Sequence, residues 1–272
     1  MRATVPNLER RMVSINAGAG EVQIETVLLG APDRGLPVVV FLHEGLGSIS
    51  MWRDFPALVC ERLGCRALVY SRPGYGQSAP CARDAIWSPD YMHSEALQVL
   101  PALLAALAID GRDQPVWLLG HSDGGSIALI HAAHAADRLA GAILLAPHIL
   151  VEDLSVHSIE LARDAFVNGS LKAGLARHHI DAEATFMRWN RTWLSTAFRS
   201  WSIEEEIAGI CCPLLAVQGI QDPYGTLEQV YGIARRVPGT RVVELPDCGH
   251  SPHRDQPERL LAELAAFVGK GA

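Results

Sequence analysis

The sequence predicts an α/β fold: a mostly parallel eight-stranded sheet with helices on both faces and one inserted helical segment. Three observations lead there. Short apolar runs alternate with amphipathic stretches of helical period. The apolar runs lack in–out alternation, as strands buried on both faces do. The alternation stops once, over 149–209, where only helical periodicity is found.

Taken in order, residues 10–16 and 21–29 read as an antiparallel opening hairpin turned near Gly18 and Gly20. PVVVFLH over 37–43 is a buried strand, 51–63 a helix and CRALVYS over 65–71 the next strand. Residues 89–109 form a long helical segment in which Pro101, lacking an N–H, predicts a kink. QPVWLLG over 114–120 is a strand, 126–139 a helix and GAILLAP over 141–147 a strand. After the helical stretch, the pattern resumes with a strand over 212–219, a helix near 226–236, a strand over 240–246 and a closing helix over 256–268. Residues 1–148 and 210–272 therefore form the core, and 149–209 an inserted cap.

Composition excludes several classes. With 49% hydrophobic residues, the 272-residue chain can bury a sizeable core without staples. A net charge of −7 with no like-charged run argues against a nucleic-acid surface. Apolar runs are strand-sized, far below the roughly 20 residues of a membrane span. The N-terminal stretch lacks the apolar run, about 7–15 residues long, of a secretory signal. The 6 cysteines show neither a CxxC pair nor zinc-ligand spacing, which predicts reduced thiols in a cytoplasmic protein. No apolar surface helix stands clear of core packing, so nothing in the sequence specifies an oligomer. Glycine is abundant, at 24 residues, which points to tight turns.

The sharpest motif is Gly120-His121-Ser122-Asp123-Gly124-Gly125. Between a buried strand and a helix, G-x-S-x-G has a physical job: the serine sits at a strained bend, and small residues two positions either side relieve crowding. A serine hydroxyl needs a base, and the base an orienting acid. Asp222 and His250 each follow a predicted strand, so both fall at the same sheet edge as Ser122, where ligands bind in open α/β sheets.

With YSRPGYGQS at 70–78, HEGLGS at 43–48 and the helical interruption, the chain resembles the α/β-hydrolase fold over nearly its whole length. The resemblance implies a serine hydrolase that needs no cofactor and no metal. Ser122 would be the nucleophile, His250 the base and Asp222 its orienting acid. Gly after the last strand favours His250 over the nearby His253. Backbone N–H groups of Asp123 and Gly45 would form the oxyanion hole. Where the family's loop has glycine, this chain has Glu44, for which an internal pair with Arg72 is expected.

Glu44, Leu46, His121, His157, Trp189 and Trp193 are the candidate substrate contacts, with Arg191 a further polar one. Phe186 and Met187 belong to the same cap stripe, which serves either as pocket wall or as cap core. His131 and His134 form an HxxH without a third ligand nearby, which reads as helix surface. The adjacent His178 and His179 carry a weaker metal signal still. The expected substrate is a small or medium carboxylic ester. Carbon–carbon bond cleavage of the meta-cleavage-product type, thioester or lactone hydrolysis, and a small-ligand receptor are the alternatives.

Overall fold

The computed structural model describes residues 8–18, 20–30, 35–82, 87–135 and 138–269. Among them one eight-stranded sheet runs in the order β1-β2-β4-β3-β5-β6-β7-β8. Strands β1 (Glu9–Asn16) and β2 (Glu21–Leu29) form the expected antiparallel hairpin, and β2 also pairs antiparallel with β4 (Arg66–Tyr70). The remaining pairings, through β3 (Val38–Leu42), β5 (Val116–His121), β6 (Gly141–Leu145), β7 (Leu214–Gly219) and β8 (Arg241–Leu245), are parallel.

Both faces of the central strands are buried, which explains their unbroken apolar runs. Val38, Val40 and Leu118 pack on one side with α4 (Asp123–His134) and the inserted helices. Val39, Phe41 and Leu119 pack on the other with α1 (Phe55–Leu63) and α10 (Pro257–Val268). Pro56 sits in the first turn of α1, where its missing N–H costs nothing, and Gly64 ends the helix at φ 61°.

Three predicted boundaries change. Residues 49–52 form a separate 3₁₀ turn before α1. Helix α4 begins at Asp123, directly after the serine, and ends at His134; residues 136–137 of the predicted helix lie outside the described residues. The kink expected at Pro101 is a π turn upstream of it. Helix α2 (Tyr91–Ser94) passes through π-helical Glu95–Val99 into α3 (Leu100–Ala106), and the Leu100 N–H reaches back to the Glu95 carbonyl. Pro101 occupies the first turn of α3, so the backbone widens one turn earlier than a simple kink would.

Between β6 and β7 run α5 (Asp153–Val167), α6 (Ser170–Leu175) and α7 (Ala182–Trp193), with a 3₁₀ turn at Glu206–Gly209. The segment's two ends meet. Leu150 and Ser202 form an isolated bridge, and Ile203 N–H donates to the Ile149 carbonyl at 2.8 Å. Helix α8 (Glu228–Arg236) follows β7, and the short α9 (Pro252–Asp255) precedes α10. No helix of the described residues is long and apolar enough to cross a membrane.

Candidate active site

Ser122 takes φ 53° and ψ −120°, a positive-φ conformation that costs energy in a residue other than glycine. Its N–H donates to the Leu145 carbonyl at 2.9 Å, and its own carbonyl accepts from Gly125 and Ser126 of α4. The bend demands glycine nearby. A Cβ on Gly120 would lie 2.1 Å from the Gly124 oxygen, and one on Gly124 2.0 Å from the Leu42 oxygen. The spacing of the motif is thus a close-approach requirement.

Asp222 follows β7 and His250 follows β8. His250 Nδ1 lies 2.9 and 2.8 Å from the two Asp222 carboxylate oxygens. A carboxylate only accepts, so Nδ1 carries the proton and Nε2 presents a lone pair. Gln218 Nε2 donates to Asp222 Oδ2 at 2.7 Å and Tyr224 N–H to Oδ1 at 2.8 Å. Burial opposes ionisation of Asp222. The hydrogen bond and charge of His250 and the Tyr224 N–H outweigh it, holding the carboxyl below its ordinary range.

Ser122, Asp123 and His250 line one cavity of about 110 Å³ together with Glu44, Gly45, Leu46, His148, Ser155, Ile159, Trp189, Trp193 and Tyr224. Gly45 has no room for a side chain, because a Cβ there would sit 2.2 Å from Trp189 Nε1. The structure thus places Gly45, expected at the oxyanion hole, and Leu46, Trp189 and Trp193, expected as substrate contacts, on the same cavity as the serine. A larger hollow of about 500 Å³ lies at the opposite end of the sheet, beside Leu104, Ile109 and Arg138; neither serine nor cysteine is among its described lining residues.

Four expectations need correction. His157 is exposed and absent from the lining, since α5 turns Ser155, Ser158 and Ile159 inward and leaves 157 outside. Arg191 is likewise exposed on α7. His121 is buried beneath the site, where its Nε2 donates to the His250 carbonyl at 2.6 Å. Glu44 borders the cavity, but its carboxylate faces His121 Nδ1 at 3.6 Å and Arg254 at 3.7 Å rather than Arg72. Burial works against the Glu44 charge, yet the contact and charge of His121 keep the carboxyl well below the usual carboxylate range.

Arg72 serves the loop differently. Fully buried, it donates from Nη2 to the Glu44 backbone carbonyl at 2.9 Å and lies 3.7 Å from the Asp123 carboxylate. His43 braces the same turn. Its Nε2 accepts the Arg72 N–H at 3.0 Å and its Nδ1–H donates to the Glu44 carbonyl at 2.8 Å. Burial and the Arg72 charge keep this imidazole neutral, with a pKa well below the ordinary value. The Asp123 side chain, which the motif treats as incidental, also accepts from the Tyr91 hydroxyl at 2.6 Å.

His148 is the main cavity residue that sequence reasoning missed. It lies three residues past the end of β6, at the same edge as Ser122, and that position was its signal. Its ring lies 5.9 Å from that of His250, and burial followed by the His250 charge lowers its pKa to about 3. Among the described residues no group of three His, Cys, Asp or Glu gathers to hold a metal. His131 is buried rather than on the surface, donating from Nδ1 to the Ala96 carbonyl at 2.8 Å; His134 meets Glu206 at 2.7 Å. His178 hydrogen-bonds Ser50, and His179 bridges Gly76 N–H and the Leu46 carbonyl. Phe186 stacks on Phe166 as insertion core.

The chain is similar to 2-succinyl-6-hydroxy-2,4-cyclohexadiene-1-carboxylate synthase of Enterobacter sp. (strain 638), at 25% identity over 86% of this chain and 92% of that protein. It is 23% identical to the sn-1-specific diacylglycerol lipase ABHD11 of Mus musculus, over 87% of this chain and 82% of that one. Among solved structures, a thermophilic esterase from Thermogutta terrifontis superimposes with a TM-score of 0.72 at 22% identity, covering 97% and 99% of the two chains. The enol-lactonase from Burkholderia xenovorans LB400 does so with 0.72 at 20% identity, covering 94% and 99%. These structural likenesses show the fold. The sequence profile of the alpha/beta hydrolase family matches residues 39–264, and the chain belongs to that family.

Proposed function

We propose that this α/β hydrolase cleaves a small, uncharged carboxylic ester through an acyl-enzyme on Ser122. The observation that carries the reading is the two-oxygen contact of Asp222 with His250 Nδ1, beside a strained serine that opens on the same cavity. With Nδ1 holding its proton, His250 Nε2 takes the Ser122 hydroxyl proton as Oγ attacks the carbonyl carbon. The N–H groups of Asp123 and Gly45 receive the oxyanion. His250 returns the proton to the leaving alkoxide, then activates a water that releases the acid. Asp222 stabilises the imidazolium formed in each step.

Cavity size and lining support the substrate class. About 110 Å³ is well below the roughly 300–1,000 Å³ of sites for drug-sized ligands. Among the described residues no lysine or arginine lines it, while Glu44 borders it, which disfavours substrates bearing a carboxylate. The helices over 149–209 act as a cap, contributing Ser155, Ile159, Trp189 and Trp193 to the roof. A fluorophosphonate probe tests the reading. It should label the native chain and not Ser122→Ala, and p-nitrophenyl acetate or butyrate should turn over. Equal labelling of both proteins, or none, would sink the proposal.

A further inference from the structure

Tyr91 lies far from the elbow in sequence, yet its hydroxyl is the midpoint of a buried hydrogen-bond chain. Trp193 Nε1 donates to Tyr91 Oη at 3.0 Å, and that hydroxyl donates to Asp123 Oδ2 at 2.6 Å. Each role is dictated: an indole N–H only donates, a carboxylate only accepts, and a hydroxyl has one hydrogen and spare lone pairs. Tyr91 is 5% exposed and Trp193 2%. Trp193 forms part of the cavity wall; Tyr91 is not among the lining residues. Trp87 stacked on Tyr91 at 4.7 Å and Phe198 tilted against Trp193 at 4.9 Å brace both rings.

We propose that Tyr91 is a positioning residue that sets specificity: by tying Trp193 of the inserted helices to the elbow carboxylate, it fixes the depth of the acyl pocket and confines the site to short acyl groups. The proposal rests on the ester-hydrolase reading of the same site. Its physical basis is that a buried indole N–H without an acceptor is costly. With the tether cut, the Trp193 ring leaves its orientation and the wall retreats from the serine. The edge of Trp193 also packs on His148 at 5.2 Å, so the retreat opens the side of the cavity next to His250.

Tyr91→Phe cuts the tether and keeps the ring. In the full chain, kcat/KM for p-nitrophenyl acetate, butyrate, hexanoate and octanoate is compared with the parent. The octanoate-to-butyrate ratio should rise about tenfold, at the lower end of what one methylene is worth in a pocket. Turnover of acetate should stay within about threefold. A residue serving stability alone would lower the melting temperature and leave the chain-length profile unchanged, which overturns the proposal. A second measurement on the parent does not depend on that variant's folding. The ¹⁵N-indole signal of Trp193, assigned by its loss in Trp193→Phe, should exchange slowly with deuterium, and rapid exchange refutes the tether. A parent that hydrolyses esters with either negative result removes this inference alone. A parent that neither labels nor turns over removes the ester reading with it.

Discussion

Replacing Asp222 by Asn tests the proton path at its origin. The Tyr224 N–H at 2.8 Å from Oδ1 selects the amide oxygen for that position. The amide nitrogen then takes the place of Oδ2, 2.8 Å from His250 Nδ1 and 2.7 Å from Gln218 Nε2. Donor meets donor at both of these contacts, and the histidine proton keeps only the 2.9 Å contact with the amide oxygen at the Oδ1 position. Gln218 can turn its amide only by giving up its 3.1 Å bond to the Gly225 carbonyl. The clash with the amide nitrogen is relieved when the histidine proton moves to Nε2, so that Nδ1 accepts from the amide and Ser122 faces an N–H in place of a lone pair. The imidazolium formed during reaction also loses its carboxylate. Such a tautomer reversal lowers kcat by about 10⁴, equivalent to about 5.4 kcal/mol at ~1.36 kcal/mol per tenfold. The assay is p-nitrophenyl butyrate hydrolysis, with probe labelling of Ser122 as the independent measure of acylation. A variant that keeps kcat within about tenfold of the parent would refute the assignment of Asp222 as the orienting acid.

Two further outcomes follow from the cavity. Gly45→Ala places a Cβ 2.2 Å from Trp189 Nε1, so the loop or the indole packed on it must shift. A displacement of about 1 Å costs on the order of 10² in kcat/KM, and unchanged hydrolysis would exclude Gly45 from the oxyanion hole. His148→Gln tests pH-dependent stability. The folded His148 pKa, about 3, lies below the unfolded value, so its contribution is present above about pH 6.5 and is lost as pH falls toward 3. Over that window the unfolded chain binds the proton that the buried ring refuses, and the parent loses up to ~1.4 kcal/mol per pH unit on this account. Urea unfolding at pH 7 and pH 5 should show a shallower loss for the variant, and equal slopes would contradict the burial argument.

Most of the core was legible because its strands are buried on both faces and so advertise themselves as unbroken apolar runs. The elbow was legible for a sharper reason: Gly120 and Gly124 are the residues whose missing side chains let backbone approach backbone. Legibility failed where a helix's phase or a long-range partner decides the outcome. His157 and Ser155 sit on the same helix, and only its start at Asp153 determines which turns inward. Glu44 was recognised as unusual, yet its partners His121 and Arg254 arrive from separate parts of the chain, whereas Arg72 binds its backbone instead. The π turn was hidden because Pro101 reveals a missing donor without saying on which side the backbone will widen.

The bridge between Leu150 and Ser202 gives the molecule a modular joint. Because departure and return of the inserted helices meet at one point, with Val151 N–H also reaching the Trp201 carbonyl at 3.3 Å, the chain enters and leaves the insertion through one narrow neck. Beyond that neck the inserted helices still rest on the core, through His178 on Ser50, His179 between Gly76 and Leu46, Thr185 on the Gly74 carbonyl and Trp193 on Tyr91. A foreign roof grafted between 150 and 202 would therefore have to reproduce those seats as well as the joint, the Trp193–Tyr91–Asp123 chain to the elbow above all.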